Sequence, residues 1–331
     1  MKTPGLLCLT GLSLIAFGLL DGMRLGAQSL QFTGIQPLAN GELSLALSAP
    51  VGRAYRLETS TNVADWSGLV TFATNSITAL QHTDSAAPFL PSRYYRATQL
   101  TGPNNLSGDH LSTTNGEVVI HPLYHASLVM SWNGKIIYSD PDDDPAFESR
   151  YAGLPPGDLI LVTHEHGDHY STAKLTALRA TGGTIIVPQR IYNLAGFAAF
   201  RPNAIALPYG AATNVLGIDV LAVPGYNANH TFTNNNAYVL TLGGKRIVIS
   251  GDTGDVPEIR ALTDIDVAFL CMNQPFTMTV NAATNCIRAM QPKVVYPYHY
   301  RDQSGSTANA ATFKQWLGTD LGIEVRLRNW Y

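Results

Sequence analysis

The residues best suited to chemistry are His164, Glu165, His166, Asp168 and His169, three imidazoles and two carboxylates within six consecutive positions. Neutral imidazole and carboxylate are ligands for a borderline divalent cation such as zinc. Residues two apart in an extended chain share a face, so His164 and His166 can meet one metal. Beyond Gly167 the chain can turn and present Asp168 and His169 to a second position. Strand alternation points Glu165 away from both histidines, which gives it a structural role. A solvated loop with incidental histidines is the plain alternative, but such a cluster costs desolvation unless it is paired or metal-bound.

The elements that must hold these residues are legible around them. Residues 158–162, apolar after Asp158, follow Pro155-Pro156-Gly157 and read as a short buried strand, while residues 171–180 have helical composition and spacing. The cluster therefore lies on a strand-to-helix loop, and the arrangement recurs along the chain. Residues 215–223 read as a strand and lead to His230, a third nitrogen for the metal of His164 and His166. Residues 238–242 and 246–250, joined through Gly243-Gly244, deliver Asp252, a carboxylate able to bridge two cations. After another strand at 267–271, residues 293–297 lead to His299, suited to the metal of Asp168 and His169.

Further strands are expected at 117–121, 126–130, 135–138 and 323–327, with a hairpin at Trp132-Asn133-Gly134 and helices at 282–290 and 312–317. The acidic run 140–145 lacks the ligand spacing of a calcium loop and reads as a solvated turn. Asn227, Asn229, Asn234, Asn235 and Asn236 read as turn-capping residues. Tyr226, Asn229, Phe276, Tyr298 and Tyr300 adjoin ligands and are candidates for a substrate wall.

The chain has 331 residues, 45% hydrophobic and 14% charged, enough for a large core and more than one domain. A net charge of -3 gives no field that would gather nucleic acid, which weakens a nucleic-acid partner, and a small-molecule substrate is expected. Residues 1–27 read as a signal peptide: Lys2, an apolar run over 6–20 too short for a membrane span, and the small-residue site Gly26-Ala27-Gln28. Export to the periplasm or medium follows, with no stable membrane span after cleavage. Residues 28–99 alternate with period two and read as a small all-β sandwich module with Trp66 and Phe72 as core candidates. Residues 100–109 then form a linker, and 110–331 the main domain. Of the three cysteines, Cys271 and Cys286 remain in the mature chain, either as a disulfide or as two buried thiols.

The pattern His164-x-His166-x-Asp168-His169, His230, Asp252, His299 resembles the metallo-β-lactamase fold superfamily over most of the main domain. The resemblance implies an α+β, four-layered αβ/βα sandwich with its active site at one edge. It also implies two metals, one held by His164, His166 and His230, the other by Asp168, His169 and His299, with Asp252 bridging. Zinc is the first expectation, and manganese or iron also suits the carboxylates. Stretches at His125-Ala126-Ser127, Pro224-Gly225-Tyr226-Asn227 and Phe276-Thr277-Met278-Thr279 resemble the branch containing ascorbate-6-phosphate lactonase. Cys271-Met272-Asn273-Gln274 departs from the Met-Gly-Gly-like turn of that branch and leaves the substrate open. An aspartate at 252, where zinc β-lactamases carry cysteine, points to an esterase, lactonase or phosphodiesterase. The module resembles fibronectin type III domains through Tyr55–Asn62, Trp66 and Arg93–Arg96.

The expected function is an exported binuclear hydrolase that uses a metal-bridging hydroxide, oriented by Asp168 and Asp252, on a small ester, lactone or phosphoester. The alternatives are a surface- or glycan-binding protein with a vestigial metal domain, and a phosphodiesterase or weak β-lactamase.

Overall fold

The computed structural model of the chain describes residues 29–74, 79–101, 106–232 and 235–331, together with the backbone of 6–10 and 13–17. The chain divides into two compact units, Met1–Ser112 with Glu117–His121, and Thr113–Gly116 with Pro122–Tyr331. The expected cleavage site at Gly26-Ala27-Gln28 lies outside the described residues; Leu6–Thr10 and Ser13–Phe17 form two antiparallel strands. Among the described residues no helix is long and apolar enough to cross a membrane.

The first unit is all-β. Gln31–Pro37, Leu43–Ser48 and Ala79–Asp84 form a three-stranded antiparallel sheet. Arg53–Ser60 is paired on both sides, with Ser67–Thr74 and with Arg93–Leu100. Alternation drives the packing: Leu43, Leu45 and Leu47 turn inward while Ser44, Ala46 and Ser48 stay half-buried, and the inward set joins Tyr55, Leu57, Leu80 and Tyr95 in one core. Phe72 packs on the edge of that core. Trp66 does not enter it. The strand starts only at Ser67, so Trp66 ends the preceding turn, where its Nε1 donates to Val63 O (3.0 Å) and the Arg96 guanidinium lies 4.4 Å over its ring. The large buried rings are Tyr55 and Tyr95 instead; the Tyr95 hydroxyl donates to Asp84 Oδ2 (2.6 Å), an oxygen that Arg93 Nε also reaches (2.7 Å).

The second unit is a mixed sandwich of two sheets and helices, built as two similar halves. In one half the hairpin Ser127–Trp132 and Lys135–Ser139 is followed by Gly157–Leu161, Arg179–Val187 and Ala204–Ala206, each parallel to the strand before it. In the other, Asn236–Leu242 and Lys245–Ile249 form the hairpin, and Val267–Cys271, Val294–Tyr298 and Glu324–Val325 continue in parallel. The first hairpin turns through Asn133 and Gly134, both at positive φ (48° and 73°), the geometry that matches the strand twist. Residues 215–223 are not one strand. Leu216 and Gly217 turn at φ 58° and 81°, and the chain folds back as the hairpin Ala212–Val215 with Ile218–Pro224.

Helices Thr172–Leu178, Val280–Met290 and Asn309–Leu317 lie where their apolar spacing placed them. Ser171 caps the first, accepting from Lys174 N, and Thr279 caps the second, accepting from Ala282 N. Cys271 and Cys286 are both free and buried, and burial pushes each thiol up to about 12. In parallel strands all C-terminal ends point one way, so the loops after Ile249, Cys271 and Tyr298 open on one edge of their sheet, and the loop after Leu161 opens at the C-terminal edge of the other.

Candidate metal centre

Those loops carry the polar residues. After Leu161 the chain leaves its strand, and the N–H groups of His169 (3.0 Å) and Tyr170 (2.9 Å) return to His166 O, closing a turn that splits the histidine cluster in two directions. On one side His166 Nδ1 lies 3.1 Å from His164 Nε2 and 3.1 Å from His230 Nε2. On the other, His169 Nε2 and His299 Nε2 lie 3.2 and 3.4 Å from Asp252 Oδ1 and 3.8 and 3.5 Å from Asp168 Oδ2. Asp252 faces both sets, its Oδ2 lying 3.5 Å from His230 Nε2 and 4.0 Å from His164 Nε2. All seven ligand candidates of the sequence are thus brought together.

The surrounding groups settle how the rings present themselves. His230 Nδ1 lies 3.1 Å from Asn227 Oδ1, which also accepts from the backbone N–H of Asn229 and His230, so Asn227 caps the loop and aims the ring. His169 Nδ1 donates to Asp140 Oδ2 (2.9 Å), leaving Nε2 free to face Asp252. Thr163 donates to both Asp140 oxygens (2.7 Å each), and its hydroxyl lies 3.1 Å from His164 Nδ1. Gly251 closes over this assembly at φ 55°, where a Cβ would lie 2.8 Å from Thr163 Cβ.

The donor set fits cations. His169 Nε2, His299 Nε2 and Asp252 Oδ1 are buried and make no hydrogen bond, yet converge on one another. On the other side a single proton cannot satisfy three mutually facing imidazole nitrogens, whereas a cation can. Electrostatics agree. Burial would raise Asp252 and Asp168, but the imidazoles of His299 and His169 hold both carboxyls well below the usual range. Burial would lower His169, but Asp252, Asp168 and Asp140 draw it well above its ordinary value, as expected of a carboxylate-rich pocket in need of positive charge. His164 and His230 are pushed down, first by burial and then by neighbouring histidines, which keeps them neutral and able to bind metal.

Two residues of the site were not among the expected ligands. Asp140 belongs to the acidic run read as a solvated turn, but it and Asp142 are buried, because Thr163 and His169 draw Asp140 into the centre. His125 also joins: its Nε2 lies 3.1 Å from Asp168 Oδ2, and it forms a potential metal-holding group with Asp168 and His299. Its sequence signal was its place directly after an apolar strand, the same one that marked His230 and His299.

The expected wall is corrected at two positions. Tyr298 is fully buried and its hydroxyl accepts from Gly251 N (2.9 Å), because an inward strand position carries it into the core. Tyr300 is buried against Tyr331 and its hydroxyl donates to Arg328 O (3.3 Å). Tyr226 is half-buried with its hydroxyl on Glu258 (3.1 Å); Asn229 donates to Pro275 O (3.0 Å); Phe276 is exposed. Glu165 pairs with Arg190, away from the ligands.

The family model described as a beta-lactamase superfamily domain matches residues 120–299, just over half of the chain. A UPF0173 metal-dependent hydrolase of Thermococcus kodakarensis is 32% identical over 216 residues, 61% of this chain and 93% of that one. The crystal structure of a candidate metal-dependent hydrolase from Parabacteroides distasonis is 35% identical, with a TM-score of 0.59 over 68% of this chain and 99% of that one. The metallo hydrolase Igni18 of Ignicoccus hospitalis shares the fold at 22% identity and a TM-score of 0.55, over 63% of this chain and 94% of its own.

Proposed function

Because the chain belongs to the beta-lactamase superfamily, we propose that it is an exported, binuclear metal-dependent hydrolase of a small ester, lactone or phosphoester. The observation that carries this reading is the split of Asp252, whose Oδ1 faces His169 and His299 while its Oδ2 faces His230. His164, His166 and His230 would hold one divalent ion and Asp168, His169 and His299 the other, with zinc the first choice for so many imidazoles and manganese or iron also accepted by the carboxylates. Such a pair supplies a water acidic enough to attack at neutral pH and a Lewis acid for a carbonyl or phosphoryl oxygen.

The chain's own residues do the rest. Asp168, half exposed, and Asp252, each facing His299 Nε2 (3.5 and 3.4 Å), would accept hydrogen bonds from the attacking water and orient it. Asp140 and Asn227 hold His169 and His230 in single tautomers. Asn227 and Asn229 donate to the carbonyls of Phe276 (2.9 Å) and Pro275 (3.0 Å), tying the loop that carries Phe276 to that of His230. The stretches at His125 and Phe276 favour the ascorbate-6-phosphate lactonase branch. The apolar run over 6–20 favours export, and the strand pairing of the module favours a fibronectin type III-like spacer ahead of the hydrolase domain.

The test is a panel of small esters, lactones and phosphodiesters offered to metal-replete protein and to Asp252→Asn. Turnover by the wild type that the variant loses supports the reading. Absence of turnover across the panel, or activity indifferent to the substitution, overturns it.

A further inference from the structure

We propose that His125 is itself a donor of the metal centre, serving the position of Asp168 and His299, and that Tyr331 holds its ring there. The inference rests on the binuclear reading above and extends it to a residue outside the seven ligands.

The geometry is that of ligands gathered around a cation. Donors about 2.1 Å from a common ion lie roughly 3.0–3.4 Å apart at the angles such ions prefer. His125 Nε2 is 3.1 Å from Asp168 Oδ2, and His299 Nε2 is 3.5 Å from the same oxygen. The His125 and His299 rings stand 3.7 Å apart between centroids.

The backbone is held against its own preference to achieve this. His125 and His299 both sit in the left-handed region, at φ 56° and 48°. That conformation costs about 1–2 kcal/mol for a residue with a Cβ and persists where surroundings over-determine it. Here they do: His299 N donates to His125 O (3.0 Å), and His125 N donates to Trp330 O (3.2 Å). Two strained histidines bonded to each other turn their rings toward one carboxylate.

Tyr331 completes the arrangement. Its hydroxyl lies 3.0 Å from His125 Nδ1 and accepts from Arg301 N (3.3 Å). Its ring is fixed between Tyr124 and Tyr300, with the Arg301 guanidinium 4.7 Å away. A phenol both donates and accepts, so it can take the proton of Nδ1 as a hydrogen bond and leave the Nε2 lone pair facing the centre.

The experiment titrates the full chain, freed of metal, with cobalt(II) alone. It reads ion stoichiometry, stepwise affinities and the ligand-field spectrum for wild type, His125→Asn and Tyr331→Phe. Asparagine tolerates the left-handed backbone but does not reach the centre, so His125→Asn preserves the fold. The expected result is that the wild type binds two ions, that His125→Asn keeps one and binds the second on the order of 10–100-fold more weakly with an altered spectrum, and that Tyr331→Phe keeps both with a smaller loss confined to the second. Two ions at wild-type affinity and spectrum in His125→Asn would overturn the proposal, as would equal weakening of both ions. A wild type that binds fewer than two ions refutes the binuclear reading itself, a separate failure.

Discussion

Replacing Asp140 by asparagine tests whether the centre depends on a buried carboxylate that touches no metal position. Asp140 is fully buried, and its Oδ1 accepts from Thr163 N while its Oδ2 accepts from the Thr163 hydroxyl and from His169 Nδ1. Asparagine has the same shape. Its oxygen must stay on Thr163 N, because the flipped amide would set two donors face to face. The amide NH2 then meets His169 Nδ1, which must become an acceptor and move its proton to Nε2. That nitrogen lies 3.2 Å from Asp252 Oδ1, so it would donate to the bridging carboxylate and cease to offer a lone pair. Loss of such a supporting contact weakens metal binding by roughly 10–100-fold, or about 1.4–2.7 kcal/mol. The Thr163 hydroxyl also loses its charged acceptor, which costs the metal-free protein about 1–3 kcal/mol. Competition with a chelator of known affinity, followed by elemental analysis, measures the first effect, and urea unfolding the second. Activity should fall at limiting metal and recover at high metal. Wild-type affinity for both ions in Asp140→Asn would refute the tautomer argument and reduce Asp140 to a fold element.

Gly251→Ala should destabilise the chain by about 2–4 kcal/mol in urea unfolding. A Cβ there meets Asn235 Oδ1 at 2.6 Å and Thr163 Cβ at 2.8 Å, on a backbone at φ 55°. Asp142 is buried with Oδ2 unpartnered, and burial pushes its carboxyl up to about 6. The folded state thus holds a proton that the unfolded chain releases near pH 4, so stability falls as pH rises from about 4 to 6 and the penalty is complete above that. Asp142→Asn in metal-free protein should accordingly raise stability by about 2 kcal/mol at pH 8 and leave it unchanged at pH 4, read from paired urea curves. Asp84→Ala should cost the first unit about 3–5 kcal/mol by leaving the Arg93 guanidinium and Tyr95 hydroxyl without their partner, seen as faster proteolysis of residues 29–101.

The ligands and their order were legible because each follows an apolar strand closely, and a strand end is a local pattern. Pairing also followed from short-range rules where turns were explicit, as at Asn133-Gly134 and Gly243-Gly244. The failures have one physical source. Trp66 and Tyr298 were placed by residue type and by neighbourhood in the chain, whereas one lies on a turn outside the core and the other on an inward strand position. Leu216, a residue with a Cβ at positive φ, hid a turn that propensity argues against.

By itself, then, the sequence determined which side chains could hold metal, the strand-to-loop context of each, and the class of fold able to collect them, since period and composition act over a few residues. Only the tertiary structure decided that Asp140 is buried behind His169, that Asp252 divides its oxygens between two donor sets, and that His125 meets His299. Those facts depend on the parallel register of strands far apart in the chain, and on polar groups finding partners that no local pattern specifies.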